Sequence, residues 1–377
     1  MIKLFLLVLN TLLLLGLRLL KRYKLSVKTV NSRLEDFLTN SLLLKSPPKV
    51  PFCALNGKLH SLLAFKAPAP TLRWERRYIP DENGRSFPLD ELSDAKPTIK
   101  SSWHLPTDLP PLPANAPVLL MMHSMAGSSR EKNVRRMAYT ARLSGIRCFC
   151  LIVRGCGGHK IEYPEFRGLA GLDYRDLQLT LQHLKTIYPN SQLFVSGFSL
   201  GSILLLNYLS REPVESNKFV TAASAGFVTF DCTLSLSLSK KNQQKFGAML
   251  RPLVTRNIKV FEQIPNIRLK EALSEGTLVA FDHHITAPAQ GFNSAKDYYN
   301  ALTDGTCTLL PNVSVPLLLF STLDDPITGN FLPLKQIEQS ENVVLVTCSE
   351  GGHLGCLIKD NNDIFSKLCI DFFEKVD

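Results

Sequence analysis

Gly197-Phe198-Ser199-Leu200-Gly201 is the part of this sequence best suited to chemistry. It lies between an apolar run at 193–196 that reads as a strand and one at 201–209 that reads as a helix. A serine on so sharp a strand-to-helix turn is strained and presents its hydroxyl. Positions beside it must be small, because bulk there would strike the strand or the helix. The N-terminus of the following helix favours negative charge developing nearby. Ser199 is therefore the candidate nucleophile.

A serine needs a base, and the base needs an orienting group. For a serine on such an elbow the expected chain order is Ser, acid, His. The apolar run 317–321 is followed by Asp324-Asp325-Pro326, and the run 343–346 leads to Gly351-Gly352-His353. His353 alone of the eight histidines occupies the required slot. Spacing does not separate Asp324 from Asp325. Asp325 is preferred because it directly precedes a turn residue and an apolar one, Pro326-Ile327, which leaves Asp324 to cap the loop or face solvent. The developing oxyanion calls for two backbone N–H groups. One is that of Leu200. The other is assigned to Met125, in the loop His123-Ser124-Met125-Ala126-Gly127-Ser128. His123 sits on the wrong loop for the base and reads as a local hydrogen-bonding residue.

Other patterns carry less. Arg154-Gly155-Cys156-Gly157-Gly158 lacks the Lys and Ser/Thr of a phosphate loop and reads as a turn. His283-His284 has no third ligand at a suitable spacing, so no metal is expected. Cys356, three residues after His353, reads as packing near the site. Nine cysteines without a CxxC pair suggest buried thiols in a reducing compartment.

The elements that must position these groups begin near residue 115. Strands are expected at 118–122, 147–153, 193–196, 220–224, 315–321 and 343–347. Helices are expected at 131–144, 173–188, 201–209, 334–338 and 362–374. Short apolar strands alternating with helices indicate an α/β chain with a mostly parallel sheet buried on both faces. Residues 230–300 break the alternation and read as a helical, cap-like insertion in a core spanning 115–376. Residues 25–114, punctuated by Pro47-Pro48, Pro51, Pro68, Pro70, Pro106 and Pro110-Pro111, read as irregular.

The chain of 377 residues is 45% hydrophobic and 20% charged, which excludes a disordered or multispan membrane protein. Residues 1–100 hold 17 Lys and Arg against 8 Asp and Glu, nine of the ten surplus charges. They include Arg18, Lys21, Arg22 and Lys24 after an apolar run at 4–17. Extended to Leu20, that run has about 17 residues, the lower limit for a spanning helix. No small-residue cleavage site follows it. Residues 1–24 are thus expected to form an uncleaved anchor with a basic flank, single-pass or monotopic. The positive-inside rule places the main body in the cytosol as an expectation. A basic, aromatic-interleaved face for nucleic acid is not evident.

These residues resemble a branch of the α/β-hydrolases, abhydrolase subfamily 4. It includes YheT-type bacterial hydrolases, membrane-anchored animal phospholipases and fungal medium-chain ethyl ester synthases. The resemblance is carried by Gly197–201, Leu206-Asn207-Tyr208-Leu209, Phe281-Asp282 with Ile285-Thr286-Ala287-Pro288, Tyr298-Tyr299, Asp324-Asp325-Pro326 and Gly351-Gly352-His353-Leu354-Gly355. It covers roughly residues 50–375. It implies the α/β-hydrolase fold and a Ser199, Asp325, His353 triad without a cofactor. The implied activity is lipid ester cleavage at a membrane. Three departures stand out: Ser124 where the family has Gly, Ser202 after the elbow, and Gly57-Lys58 where a Gly-His is usual. Ser124 is expected to narrow the oxyanion loop. Two other readings remain: an acyltransferase using the same acyl-enzyme, and a weakly active scaffold.

Overall fold

The continuous apolar runs become strands buried on both faces. The computed structural model describes residues 20–99, 105–161, 170–359 and 362–376. Among them nine strands form one sheet: β1 (Leu25–Lys28), β2 (Trp74–Pro80), β3 (Ser86–Leu92), β4 (Val118–Met122), β5 (Arg147–Leu151), β6 (Leu193–Phe198), β7 (Ala222–Gly226), β8 (Leu317–Thr322) and β9 (Val343–Cys348). Their order is β1-β9-β8-β7-β6-β4-β5-β3-β2. The sheet is parallel from β5 across to β9 and antiparallel at β1–β9, β3–β5 and β2–β3.

Strand alternation divides the core between two layers. Leu119 and Met121 of β4 face one layer, with Phe320 of β8 and Val344 of β9. Val118, Leu120 and Met122 face the other, with Leu319 and Leu345. For the helices, α1 is Gly57–Lys66, α2 Lys132–Leu143, α3 Arg175–Ile187, α4 Leu200–Arg211, α5 Lys240–Arg256, α6 Ala295–Thr303 and α7 Ile364–Phe373. The first layer is covered by α2 and α7 through Ala138, Phe365 and Leu368. The second is covered by α3 and α4 through Leu177, Leu181 and Leu205. Ten of the twelve residues of α4 are buried, as suits an apolar helix directly behind the elbow. Strand order reverses at β4, whose parallel neighbours β5 and β6 lie on either side. The loops after β4, β6, β8 and β9 therefore converge at the carboxyl edge of the sheet, where α/β folds hold their ligands.

Residues 25–114 are more regular than their prolines suggest. They hold β1, β2, β3, α1 and short helices at Ser32–Thr39 and Leu42–Lys45. The prolines named above lie in the connections between these elements. The strands escaped notice because β2, Trp-Glu-Arg-Arg-Tyr-Ile-Pro, sits at the sheet edge and needs no apolar run.

The basic flank assigned to the anchor belongs partly to the folded body. Lys21 pairs with Glu350 at 2.6 Å. The backbones of Arg22 and Lys49 pair in an isolated antiparallel β-bridge. Tyr23 is buried and its hydroxyl donates to the Leu357 carbonyl. The predicted spanning run, 4–17 extended to Leu20, lies outside the described residues except for Leu20 itself. No helix among the described residues is long and apolar enough to cross a membrane.

Candidate functional site

Ser199 joins β6 to α4 with φ 54° and ψ −112°, a conformation that costs a non-glycine residue about 1–3 kcal/mol. The glycines around it are steric requirements. A Cβ on Gly197 would lie 2.6 Å from the Gly201 carbonyl oxygen, and one on Gly201 2.5 Å from that of Met122. The Ser199 N–H donates to the Gly226 carbonyl at the end of β7 (3.0 Å). Ser202, the departure after the elbow, is fully buried and donates its hydroxyl to the same carbonyl (2.8 Å). It ties α4 to β7 and leaves no polar atom unmatched.

Ser199, His353 and Asp325 are brought into one chain of contacts. His353 Nε2 lies 2.9 Å from Ser199 Oγ, and its Nδ1 lies 2.8 Å from Asp325 Oδ2. The other Asp325 oxygen accepts N–H bonds from Ile327 (2.8 Å) and Thr328 (3.1 Å). Burial raises the Asp325 pKa. The His353 charge, its hydrogen bond and the two N–H donors outweigh burial, so the carboxyl is held below its ordinary value.

The neighbouring aspartate does a different job. Asp324 Oδ1 accepts from the Gly351 and Gly352 N–H groups, both at 2.8 Å, and so fastens the loop that carries His353. Helix α1 supports that loop from behind. The His353 N–H donates to Ser61 Oγ (2.8 Å), whose hydroxyl donates to the Gly57 carbonyl (2.9 Å). A Cβ on Gly57 would fall 1.8 Å from the Asp324 carbonyl oxygen. The glycine of Gly57-Lys58 is thus demanded by packing. Cys356 is buried behind the loop, next to Gly351.

The loop after β4 is organised by a residue that the sequence did not single out. Glu131, just before α2, accepts the Ser124 N–H (3.0 Å) and the Ser124 hydroxyl (2.5 Å) through separate oxygens. A Cβ on Gly127 would strike the same carboxylate. The Ser124 side chain is held by Glu131 and does not line the cavity beside Met125 and Leu200. Ser124 borders a second, smaller cavity with His123, Ala126 and Leu200. His123 is a local hydrogen-bonding residue: Nδ1–H donates to the Ser124 carbonyl (2.7 Å), and Nε2 accepts the Val153 N–H (3.1 Å). Burial lowers its pKa, which keeps this arrangement neutral. Glu131→Ala leaves the Ser124 N–H without its acceptor. Turnover is expected to fall about 10–100-fold with KM nearly unchanged, and Glu131→Gln to fall between, in steady-state kinetics on a soluble ester.

Met125 and Leu200, the assigned oxyanion residues, both border one cavity of about 80 Å³. As the first residue of α4, Leu200 has an N–H that helix geometry leaves without an intrahelical acceptor. The cavity wall comes mainly from the 230–300 segment and α6: Leu250, Leu253 and Val254 of α5, with Phe281, Ile285 and Leu302. One polar spot interrupts it. Asp282 lies in a π-helical turn, Asp282–Thr286, and accepts the Tyr299 hydroxyl (2.5 Å). Burial pushes its carboxyl up to about 6, against the lowering effect of hydrogen bonds from Tyr299 and Thr286. A carboxyl raised on folding makes the fold lose stability as pH rises from about 4 through 6. Asp282→Asn is therefore expected to stabilise the protein by about 2 kcal/mol above pH 6, with no gain below pH 4, in thermal melts across that range.

The adjacent His283-His284 pair has local partners. His284 Nε2 meets Glu275 at 2.9 Å, and His283 Nδ1 accepts the Ala295 N–H. Among the described residues no group of three or more His, Cys, Asp or Glu is placed to hold a metal ion. Arg154 of the glycine-rich turn bridges Asp176 of α3 (2.7 Å) and Asp81 (3.0 Å).

No protein-family model matches the chain. Curated relatives do. Phospholipase ABHD3 of Mus musculus is 28% identical over 246 residues, covering 64% of this chain and 58% of that protein. The medium-chain fatty acid ethyl ester synthase/esterase 2 of Saccharomyces cerevisiae is 27% identical over 343 residues, covering 81% and 74%. The monoacylglycerol lipase of that yeast is 26% identical over 249 residues, covering 63% and 54%. The chain thus spans less than two thirds of the mammalian phospholipase it matches. Among solved structures, Est1E from Butyrivibrio proteoclasticus with bound ferulic acid superposes with TM-score 0.50 at 14% identity. The match covers 80% of this chain and 98% of that one, a likeness of fold alone. Sheet and relatives point the same way: the chain is similar in sequence to a phospholipase, an ester synthase/esterase and a monoacylglycerol lipase, and similar in fold to an esterase.

Proposed function

We propose that this protein is a serine hydrolase that cleaves carboxylic ester bonds of lipids through an acyl-enzyme at Ser199. The observation that carries the reading is the unbroken contact chain from Ser199 through His353 to Asp325, at 2.9 and 2.8 Å, on a strained strand-to-helix turn. His353 Nε2 takes the hydroxyl proton as Ser199 Oγ attacks the ester carbonyl. Asp325 holds the Nδ1–H tautomer and stabilises the imidazolium. The Met125 and Leu200 N–H groups receive the oxyanion, each worth about 3 kcal/mol of barrier. The imidazolium returns its proton to the departing alcohol. Water, deprotonated by His353, then releases the acid and frees Ser199. No cofactor enters the scheme.

The lipid substrate is supported by the apolar cavity beside the elbow and by relatives named as phospholipase, monoacylglycerol lipase and ester synthase/esterase. The apolar run at 4–17 supports membrane attachment, with the body on the cytosolic side. The yeast synthase/esterase favours a second fate for the acyl-enzyme, capture by an alcohol. The test is a panel of monoacylglycerol, phospholipid and simple medium-chain esters, with and without ethanol. Free acid released from one lipid class supports hydrolysis. Ethyl ester formed at the expense of acid assigns acyl transfer. Neither product from folded protein refutes both and leaves the scaffold reading.

A further inference from the structure

Helix α1 turns apolar residues toward solvent. Leu62 is 44% exposed and Phe65 78%, and both lie on its outer face with Lys58 and Lys66. Leu55, just before the helix cap, is 63% exposed. Among the described residues, seven of the sixteen exposed large apolar side chains fall within residues 20–65. The feature is regional and unlike scattered surface leucines.

Beside α1 lies an open groove of about 740 Å³, floored by Val50, Leu63 and Leu357. Lys49, Lys66 and Lys359 line it, and no Asp or Glu does among the described residues. Residues 20–67 hold nine Lys and Arg against two acidic residues. The chain enters the fold along the groove wall. The Tyr23 N–H donates to the Pro48 carbonyl (3.0 Å), and the Val50 N–H to that of Lys21 (2.9 Å). The described chain thus begins beside this face, and the apolar run at 4–17 precedes it in sequence.

We infer that the outer face of α1 and the adjoining groove form a docking surface for an anionic lipid bilayer. Leu55, Leu62 and Phe65 enter the boundary between headgroups and acyl chains, while the lysines meet headgroup phosphates and carboxylates. Apolar side chains framed by lysine fit a negatively charged interface better than a neutral one. The inference rests on the membrane-facing part of the proposed function and adds a surface to the N-terminal run. It also bears on the site. Through Gly57 and Ser61 the same helix holds the His353 loop, so the docked element is the one that supports the candidate base.

Cys53 supplies a reporter. It borders the groove and is exposed, while the other eight cysteines are buried. The full chain would be labelled at Cys53 with a polarity-sensitive thiol dye. It would then be mixed with phosphatidylcholine vesicles, with or without about one-third phosphatidylserine. Phosphatidylserine is expected to shift emission to the blue and cut iodide quenching about threefold or more, and about 0.5 M salt to reverse much of this. Leu62→Glu/Phe65→Glu should abolish the shift, its folding being read from the circular dichroism melt. A chain that sediments with vesicles while its dye stays fully quenchable overturns the inference. So does a lipid-independent shift that grows with protein concentration, which marks a self-association face. A dye shielded at every concentration without lipid also overturns it, because the chain then covers the groove itself. Hydrolysis of a water-soluble ester by the same sample separates the two readings: its absence beside an intact lipid-dependent shift refutes the hydrolase assignment and leaves the docking surface.

Discussion

Replacing Ser199 with alanine is expected to lower kcat for ester hydrolysis by about 10⁵-fold or more without destabilising the fold. The first part follows because Oγ is the atom that meets His353 Nε2, at 2.9 Å. The second follows from the backbone. Alanine retains the Cβ that makes φ 54° costly, and the elbow is fixed by the Ser199 N–H bond to Gly226 and the tight packing at Gly197 and Gly201. Ser199→Gly removes the same oxygen and relieves the strain, so it should melt higher, by about 1–2 kcal/mol, while remaining inactive. Steady-state rates and thermal melts of the three proteins check both halves. Retained turnover in either variant would contradict the assignment.

Asp325→Asn is expected to lower kcat by about 10⁴-fold with the fold intact, since an amide facing Nδ1 favours the wrong imidazole tautomer. The neighbouring aspartate makes the informative comparison. Asp324→Ala leaves the Gly351 and Gly352 N–H groups without their acceptor, at a cost of about 1–3 kcal/mol each where they are buried. Its main effect should be on melting, with a smaller loss of turnover from a looser His353 loop. The pH dependence separates them further. The folded-state pKa of Asp325 lies below its ordinary 3.8, so its ionisation stabilises the fold above about pH 4 and is lost on acidification. Asp325→Asn should weaken that acid dependence, and Asp324→Ala should leave this contribution in place. If Asp324→Ala instead abolishes turnover at a temperature where it is fully folded, the two roles are reversed.

Much of this architecture is legible because burial on both faces forces long apolar runs. β4, β6, β8 and β9 are such runs, and the chain order of serine, acid and histidine then fixes which loops converge. Ser199 is marked by its flanking glycines, which the packing demands on both sides. Asp324 and Asp325 are not separable by spacing, because their difference lies in what they face: two glycine N–H groups for one, an imidazole for the other. Glu131 was missed for a related reason. An exposed-looking Arg-Glu-Lys before a helix gives no sign that its carboxylate folds back onto Ser124. The edge strands β1 and β2 have no continuous apolar run to announce them. The outward apolar face of α1 needs a fold to reveal it, since Leu62 and Leu63 are one residue type on adjacent positions and only the first is exposed.

The central claim is an activated serine at the elbow. The most direct measurement is peptide mass spectrometry of the full chain after reaction with a fluorophosphonate, which forms a covalent adduct with an activated serine. The account predicts a single stoichiometric adduct on Ser199, lost in His353→Ala. No adduct on folded protein, or an adduct on a serine elsewhere, would contradict it.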